Sequence, residues 1–215
     1  MLGIAGLVGS GRTELLRAIY AADKPRQGEI YLSGMRQRIK IPYEAVRAGI
    51  GMVPEDRKQH GAILSLSVKQ NISLANLKGI TDRLGFIHRG KEKDIVKRLL
   101  SRLSVKTSSE NAAVSTLSGG NQQKTVLAKW INRSCSVLMI DEPTRGVDVG
   151  AKAEIYDLVN ELSQQGMGLI LVSSETEELM GICDRILVMR NGRIRGELSK
   201  KDFTEENILR LAIGA

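Results

Sequence analysis

Short stretches of this chain place chemically useful side chains at telling intervals. Gly6-Leu-Val-Gly9-Ser10-Gly11-Arg12-Thr13 follows the pattern G-x-x-x-x-G-K-[ST] except that arginine stands for lysine. Glycines in such a loop let successive backbone N–H groups turn inward around phosphate, and the helix that follows offers its N-terminus to the anion. Gly6, Gly9, Ser10, Gly11, Arg12 and Thr13 are therefore candidate phosphate ligands, with the Thr13 hydroxyl a candidate for Mg²⁺. Guanidinium keeps the charge of lysine but is planar and wider, so Arg12 is not a neutral replacement in a tight loop. Further on, Val137-Leu-Met-Ile-Asp141-Glu142-Pro143 reads as a buried strand ending in two acids. Asp141 could hold Mg²⁺ through water, and Glu142 could polarise an attacking water. Between them lies Leu117-Ser118-Gly119-Gly120-Asn121-Gln122-Gln123-Lys124, whose Ser118, Gly119 and Gly120 open a helix with free N–H groups. Each stretch alone also reads as something plain: a Gly-rich turn, a strand end capped by solvated acids, a helix start. Asp148 alone would cap the next helix or meet a partner domain.

The elements that must position these residues follow from hydrophobic periodicity. Strands are expected at 2–5, 28–32, 50–53, 137–140, 169–173, 186–189 and 193–198, and helices at 13–20, 43–48, 68–77, 91–103, 119–132, 149–164, 175–182 and 204–213. Ser33-Gly34 and Asn191-Gly192 are hairpin turn signals. In the helix at 91–103, Ile95, Leu99, Leu100 and Leu103 are expected on one side. Alternation of strands and helices implies an α/β fold with a mainly parallel sheet covered on both faces. In a doubly wound sheet Asp141 and Glu142 fall at the C-terminal edge, beside the phosphate loop. The stretch from about 65 to 132 has no strand signal and reads as a helical insert.

The bulk numbers bound the class. The chain has 215 residues, 42% hydrophobic and 26% charged, which suits one globular domain with a sizeable core. No apolar run reaches the roughly 18 residues of a spanning helix. Cys135 and Cys183 match no metal spacing and read as buried thiols in a reducing compartment. The net charge of +8 is scattered and aromatics are 3%, so base-stacking platforms are not expected and the charge reads as a solvated surface without a nucleic-acid partner.

Taken in order, Gly6–Thr13, Leu117–Lys124, Val137–Pro143 and Asp148 resemble the Walker A loop, signature motif, Walker B strand and D-loop of ATP-binding cassette (ABC) transporter ATPases. Val53-Pro54-Glu55-Asp56-Arg57-Lys58, Ser67–Asn71 and Leu117–Trp130 are similar to the C-terminal cassette of tandem ATPases of bacterial sugar importers of the ribose, galactose, arabinose and xylose type. The resemblance covers essentially the whole chain. It implies a P-loop NTPase core at about 1–60 and 133–198, a helical signature subdomain at about 65–132 and a C-terminal helix at about 204–213. Its cofactors would be ATP and Mg²⁺, and its place the cytoplasmic face of a bacterial membrane. It implies partners too: a second cassette packed head to tail, membrane permease subunits docked around 56–105, and, indirectly, an external sugar-binding protein. Ser118, Gly119, Gly120, Gln122 and Asp148 would then contact ATP held by the second cassette.

Some positions depart from that family pattern. Arg12 replaces the Walker A lysine. Glu55 stands where a glutamine usually contacts Mg²⁺ and water, so it is a candidate metal and catalytic group. Ser174 stands where a histidine usually senses the γ-phosphate, and serine cannot become cationic. Together they imply weak turnover at this chain's own phosphate loop, while the intact signature serves the partner. The family pattern opens with antiparallel strands carrying an adenine-stacking aromatic; with Met1 almost at the phosphate-loop strand, a fragment of a longer chain or a short gene product is expected, with an exposed sheet edge and marginal stability or self-association. Other readings are a nucleotide-binding regulatory module without turnover and a soluble ABC ATPase acting on nucleic acid.

Overall fold

The structure, a computed structural model, describes residues 1–214. The chain forms two compact units. The first comprises residues 1–52, 135–143 and those from Val159 onward; the second comprises 53–134 and 144–158. Residues 53–60 and 144–158 thus group with the helical insert.

The first unit begins with β1 (Leu2–Gly6), α1 (Arg12–Ile19), the hairpin β2 (Ile30–Leu32) and β3 (Met35–Gln37), α2 (Pro42–Ala48) and β4 (Ile50–Val53). The hairpin turns at Ser33-Gly34, both with positive φ, as its sequence signal requires. Pro42 opens α2, where its missing N–H costs nothing. The second unit holds α3 (Val68–Ser73), α4 (Leu77–Ile80), α5 (Arg89–Arg102) and α6 (Gly119–Arg133). The chain then returns through β5 (Val137–Asp141), α7 (Val149–Gln164), β6 (Gly168–Val172), α8 (Thr176–Ile182), β7 (Arg185–Arg190), β8 (Arg193–Ser199) and α9 (Glu205–Ile213). Thr204 caps α9, its hydroxyl accepting from the Asn207 N–H at 3.1 Å.

One six-stranded sheet organises the first unit in the order β4-β5-β6-β1-β7-β8. β1 pairs in parallel with β6 on one side and β7 on the other, and β5 pairs in parallel with β6. β8 runs antiparallel to β7, joined to it through Asn191-Gly192. The central strands are buried, which fits parallel strands covered on both faces. Ile4, Leu16, Ala45, Ile50, Met52, Met139, Val172 and Met189 form one core cluster that locks α1 and α2 onto the sheet. This order places the C-terminal ends of β5, β6 and β1 side by side, and the chemistry gathers there.

In the second unit α6 packs against α3 and α5 and is buried over most of Gly120–Trp130, including Gln122, Gln123 and Lys124. Ser67 and Gln70 start α3 with a reciprocal capping box, at 3.1 Å and 2.9 Å. On α5 the buried row is Glu92, Val96 and Leu99, continued by Leu103; Ile95 and Leu100 are only half-buried. The face is therefore rotated from the sequence expectation. Val96, one residue on from Ile95, is the apolar residue that reaches the interior, and Glu92 is drawn in with it.

Candidate functional site

The phosphate loop springs from the end of β1. Gly6 must be glycine because a Cβ there would stand 2.5 Å from the Met189 carbonyl oxygen and 2.5 Å from Ser10 Oγ. Gly11 sits at the N-cap of α1 with φ 98, a left-handed value that a side chain rarely adopts. Around Gly9 the space is open. The loop closes with Ser10 N–H on the Leu7 carbonyl at 3.0 Å, and Arg12 and Thr13 begin α1 directly after it.

Arg12 is 8% exposed. Its Nη1 donates to the Ser173 carbonyl at 2.5 Å, and its Nη2 lies 3.7 Å from Glu142 Oε1. The Ser174 hydroxyl donates to Glu142 Oε2 at 3.1 Å. The sheet order explains the meeting: Glu142 follows β5, Ser173 and Ser174 follow β6, and Arg12 follows β1. Glu142 itself has φ 51, the left-handed region, and is pinned by its N–H on the Val172 carbonyl at 2.8 Å. Such a conformation costs on the order of 1–3 kcal/mol in a non-glycine residue and collects at functional sites. Burial pushes the Glu142 carboxyl above its ordinary range, with Ser174 and Arg12 acting the other way.

Asp141 is fully buried, and neither carboxylate oxygen has a hydrogen-bond partner of ordinary geometry. Burial raises it to about 6, and the Glu142 charge adds to the rise, while the neighbouring Thr13 side chain and Arg12 oppose it. An orphaned buried carboxylate beside a threonine hydroxyl is the donor set expected of a cation held partly by phosphate oxygens. Ser10 Oγ is also buried without a partner. Among the described residues no cluster of three or more His, Cys, Asp or Glu is placed to hold a metal.

The signature residues lie in the second unit. Ser118 is exposed at the N-cap of α6, its Oγ accepting from Asn121 Nδ2 at 2.9 Å. Gly119 and Gly120 follow with no room for a side chain: a Cβ on Gly119 would lie 2.6 Å from the Gly146 carbonyl oxygen, and one on Gly120 would lie 2.7 Å from Ala151 Cβ. Only glycine fits at these two positions, where the helix begins with its positive end. Gln122, expected at nucleotide, is turned inward: its amide donates to the carbonyls of Val114 at 3.3 Å and Leu117 at 3.1 Å. It braces the backbone that leads into Ser118, a role set by its place on the buried side of the first turn. Asp148 caps α7, its Oδ1 accepting from the Ala151 N–H at 2.9 Å. Glu55, expected at metal, is ion-paired with Arg145.

The sequence reading missed Arg57. Residues Arg57–Gly61 form a π-helical turn capped by Asp56, whose Oδ1 accepts from the N–H groups of Lys58 and Gln59 at 2.9 Å and 3.1 Å. Arg57 donates from Nη1 to the Arg145 carbonyl at 2.5 Å and from Nη2 to the Gly146 carbonyl at 3.1 Å. Asp56 ahead of Arg57 signals a local cap, but side-chain reach across 88 residues has no periodicity to betray it.

A Gly-rich loop between β1 and α1, acids at the end of β5 and a helical insert opening on Ser-Gly-Gly define a P-loop nucleotide-binding protein of the cassette type. The profile of the family described as ABC transporter matches residues 1–145. A putative ribose/galactose/methyl galactoside import ATP-binding protein of Rhizobium meliloti is 52% identical over 213 residues, 99% of this chain and 42% of that protein. The ribose import ATP-binding protein RbsA of Bacillus subtilis is 47% identical over 214 residues, 100% of this chain and 43% of that protein. The chain thus spans less than half the length of these relatives. It belongs to the ABC transporter family. Among solved structures, the dimeric post-hydrolysis state of the cassette MJ0796 bound to ADP and Pi shares the fold at a TM-score of 0.80 and 22% identity, over 94% of this chain and 86% of that one. A nucleotide-free cassette from an ABC transporter also matches at 0.80, with 21% identity over 100% of this chain and 88% of that one.

Proposed function

We propose that this chain is one ABC ATPase domain that couples ATP binding and hydrolysis to carbohydrate import across a membrane. The observation that carries the reading is the convergence of Arg12, Glu142 and Ser174 at the ends of three adjacent strands, beside the orphaned carboxylate of Asp141. The similarity to ribose and galactose import ATP-binding proteins supplies the substrate class. In this reading Gly6, Gly9, Ser10, Gly11 and Thr13 cradle the phosphates, Thr13 and Asp141 hold Mg²⁺, and Glu142 orients water. Mg²⁺ supplies charge neutralisation of the phosphates when bound. Glu55 is ion-paired with Arg145. The partner is a second cassette in head-to-tail contact, met by Ser118, Gly119, Gly120 and Asp148, with permease subunits at the helical insert. The place is peripheral, on the cytoplasmic face of the membrane; no helix among the described residues is long and apolar enough to cross it.

The chain's own phosphate loop turns over slowly, because Arg12 is already engaged by the Ser173 carbonyl and faces the group that must orient water. Its signature serves the partner at full strength. The test is MgATP-dependent association with a separately expressed second cassette, followed by sedimentation. Association that requires MgATP and is lost on Ser118→Arg supports the reading; association indifferent to both refutes it.

A further inference from the structure

Two residues of the segment after β4 hold the loop that follows β5, and both contacts lie within the second unit. Glu55 pairs with the Arg145 side chain, and Arg57 forks onto the carbonyls of Arg145 and Gly146. The same guanidinium lies against the signature helix, 2.8 Å from where a Gly119 Cβ would stand and 3.3 Å from where a Gly146 Cβ would stand. Gly146 has φ 65, a value that presents its carbonyl to Arg57, and the loop it belongs to ends two residues later at Asp148, the cap of α7. On the other side Gly120 packs against Val147 and Ala151. Arg57 is thus the peg around which residues 145–148 and 119–120 close.

Stability alone is a poor reason for this arrangement. Arg57 is engaged by neutral carbonyl oxygens, its Nε is buried without a partner, and half-burying a guanidinium carries a desolvation cost. The π-helical turn that begins at Arg57 adds a residue relative to an α-turn, and such turns concentrate at functional sites. Gly61 closes that turn against Val126 and is itself held by Lys129 Nζ on its carbonyl at 2.5 Å.

We propose that Arg57 is a positioning residue which fixes the loop ending at Asp148 against the first turn of the signature helix, so that both are presented together to nucleotide carried by a second cassette. This rests on the reading of Ser118–Gly120 given under Proposed function. Arg57 touches no reacting atom. It sets where the Gly119 and Gly120 N–H groups lie relative to Asp148.

The experiment compares wild type, Arg57→Gln, Arg57→Lys and, as an exposed neighbour, Lys58→Ala. Amide hydrogen exchange of the chain itself is read first. Arg57→Gln raises exchange about tenfold at 145–148 and 119–122 and leaves α5 unchanged, while Lys58→Ala changes neither. ATPase is then read in a mixture with a second cassette that carries lysine in its own phosphate loop. Arg57→Gln lowers kcat about tenfold with KM within about twofold, and Arg57→Lys, which keeps charge but cannot fork, recovers part of the loss. Unchanged exchange in Arg57→Gln overturns the clamp. Raised exchange with unchanged kcat overturns its positioning role. Absence of turnover even in the wild-type mixture overturns the underlying reading, and the exchange result still decides separately whether the clamp exists.

Discussion

Arg12 and Glu142, 130 positions apart in the chain, meet at 3.7 Å with both side chains largely covered, and the other Arg12 amino group is held at 2.5 Å by the Ser173 carbonyl. The arginine is thereby a tethered cation. In the proposed reading, ATP competes with Glu142 for it. Arg12→Lys shortens the planar fork to a mobile ammonium and frees Glu142. The expected result is turnover at this chain's own site raised about tenfold or more in the cassette mixture, checked by phosphate release; Arg12→Ala weakens ATP binding about tenfold, checked by equilibrium dialysis.

The glycines of the phosphate loop are not equivalent. A Cβ at Gly6 meets backbone oxygen at 2.5 Å, whereas one at Gly9 meets nothing within 4 Å and carries only the strain of φ 78. Gly6→Ala is expected to destabilise the fold by about 1–3 kcal/mol or more through overpacking, and Gly9→Ala by about 1 kcal/mol. Urea midpoints settle it, and equal losses would contradict the difference in packing.

Asn71 is the polar keystone of the helical insert. It is 2% exposed; its Oδ1 accepts from the Ile63 N–H at 2.8 Å, and its Nδ2 donates to the carbonyls of Ile63, Ser67 and Leu66 at 2.9 Å, 3.0 Å and 3.3 Å. Asn71→Leu keeps the volume but strands these groups, at a cost of about 2–3 kcal/mol. Thermal melting reads this, and an unchanged midpoint would mean that the loop at 63–67 re-pairs elsewhere.

Burial holds the Lys129 ammonium below its ordinary 10.5, at about 8. The Gly61 carbonyl at 2.5 Å and the Trp130 ring at 5.1 Å favour the charged form but do not offset the desolvation. Between these two pKa values the unfolded chain binds a proton that the folded chain has released, so this residue's contribution to stability rises with pH across about 8 to 10.5. Relative to Lys129→Met, wild type gains stability over that window in denaturant titrations. A constant difference would show that Lys129 is not desolvated.

Much of this was legible from residue order. The run from apolar strand to Gly-rich loop to helix at 2–20 and the run Val137–Glu142 carry their own periodicity, and the structure places their elements within one residue of the expected bounds. Asn191-Gly192 and Ser33-Gly34 needed only local backbone preference. The α5 face came out rotated because Ile95 and Val96 are both apolar and only packing against α3 and α6 chooses between them. The signature motif places Gln122 near nucleotide; that its amide turns to the carbonyls of Val114 and Leu117 is recorded by no motif. The strained backbone of Glu142, the π-turn at Arg57 and the Arg12–Ser173 bond are tertiary facts, settled by which strand ends and loops lie side by side.

The central claim is a division of labour: a signature that serves a second cassette, and a phosphate loop that holds nucleotide but turns it over slowly. The direct measurement is MgATP binding and turnover by the purified chain, alone and mixed with a second cassette whose phosphate loop carries lysine. Binding with negligible turnover alone, and turnover in the mixture that is lost on Ser118→Arg in this chain, is the predicted result. Robust turnover by the chain alone, abolished by Glu142→Gln, would contradict it and make this cassette an ATPase at its own site.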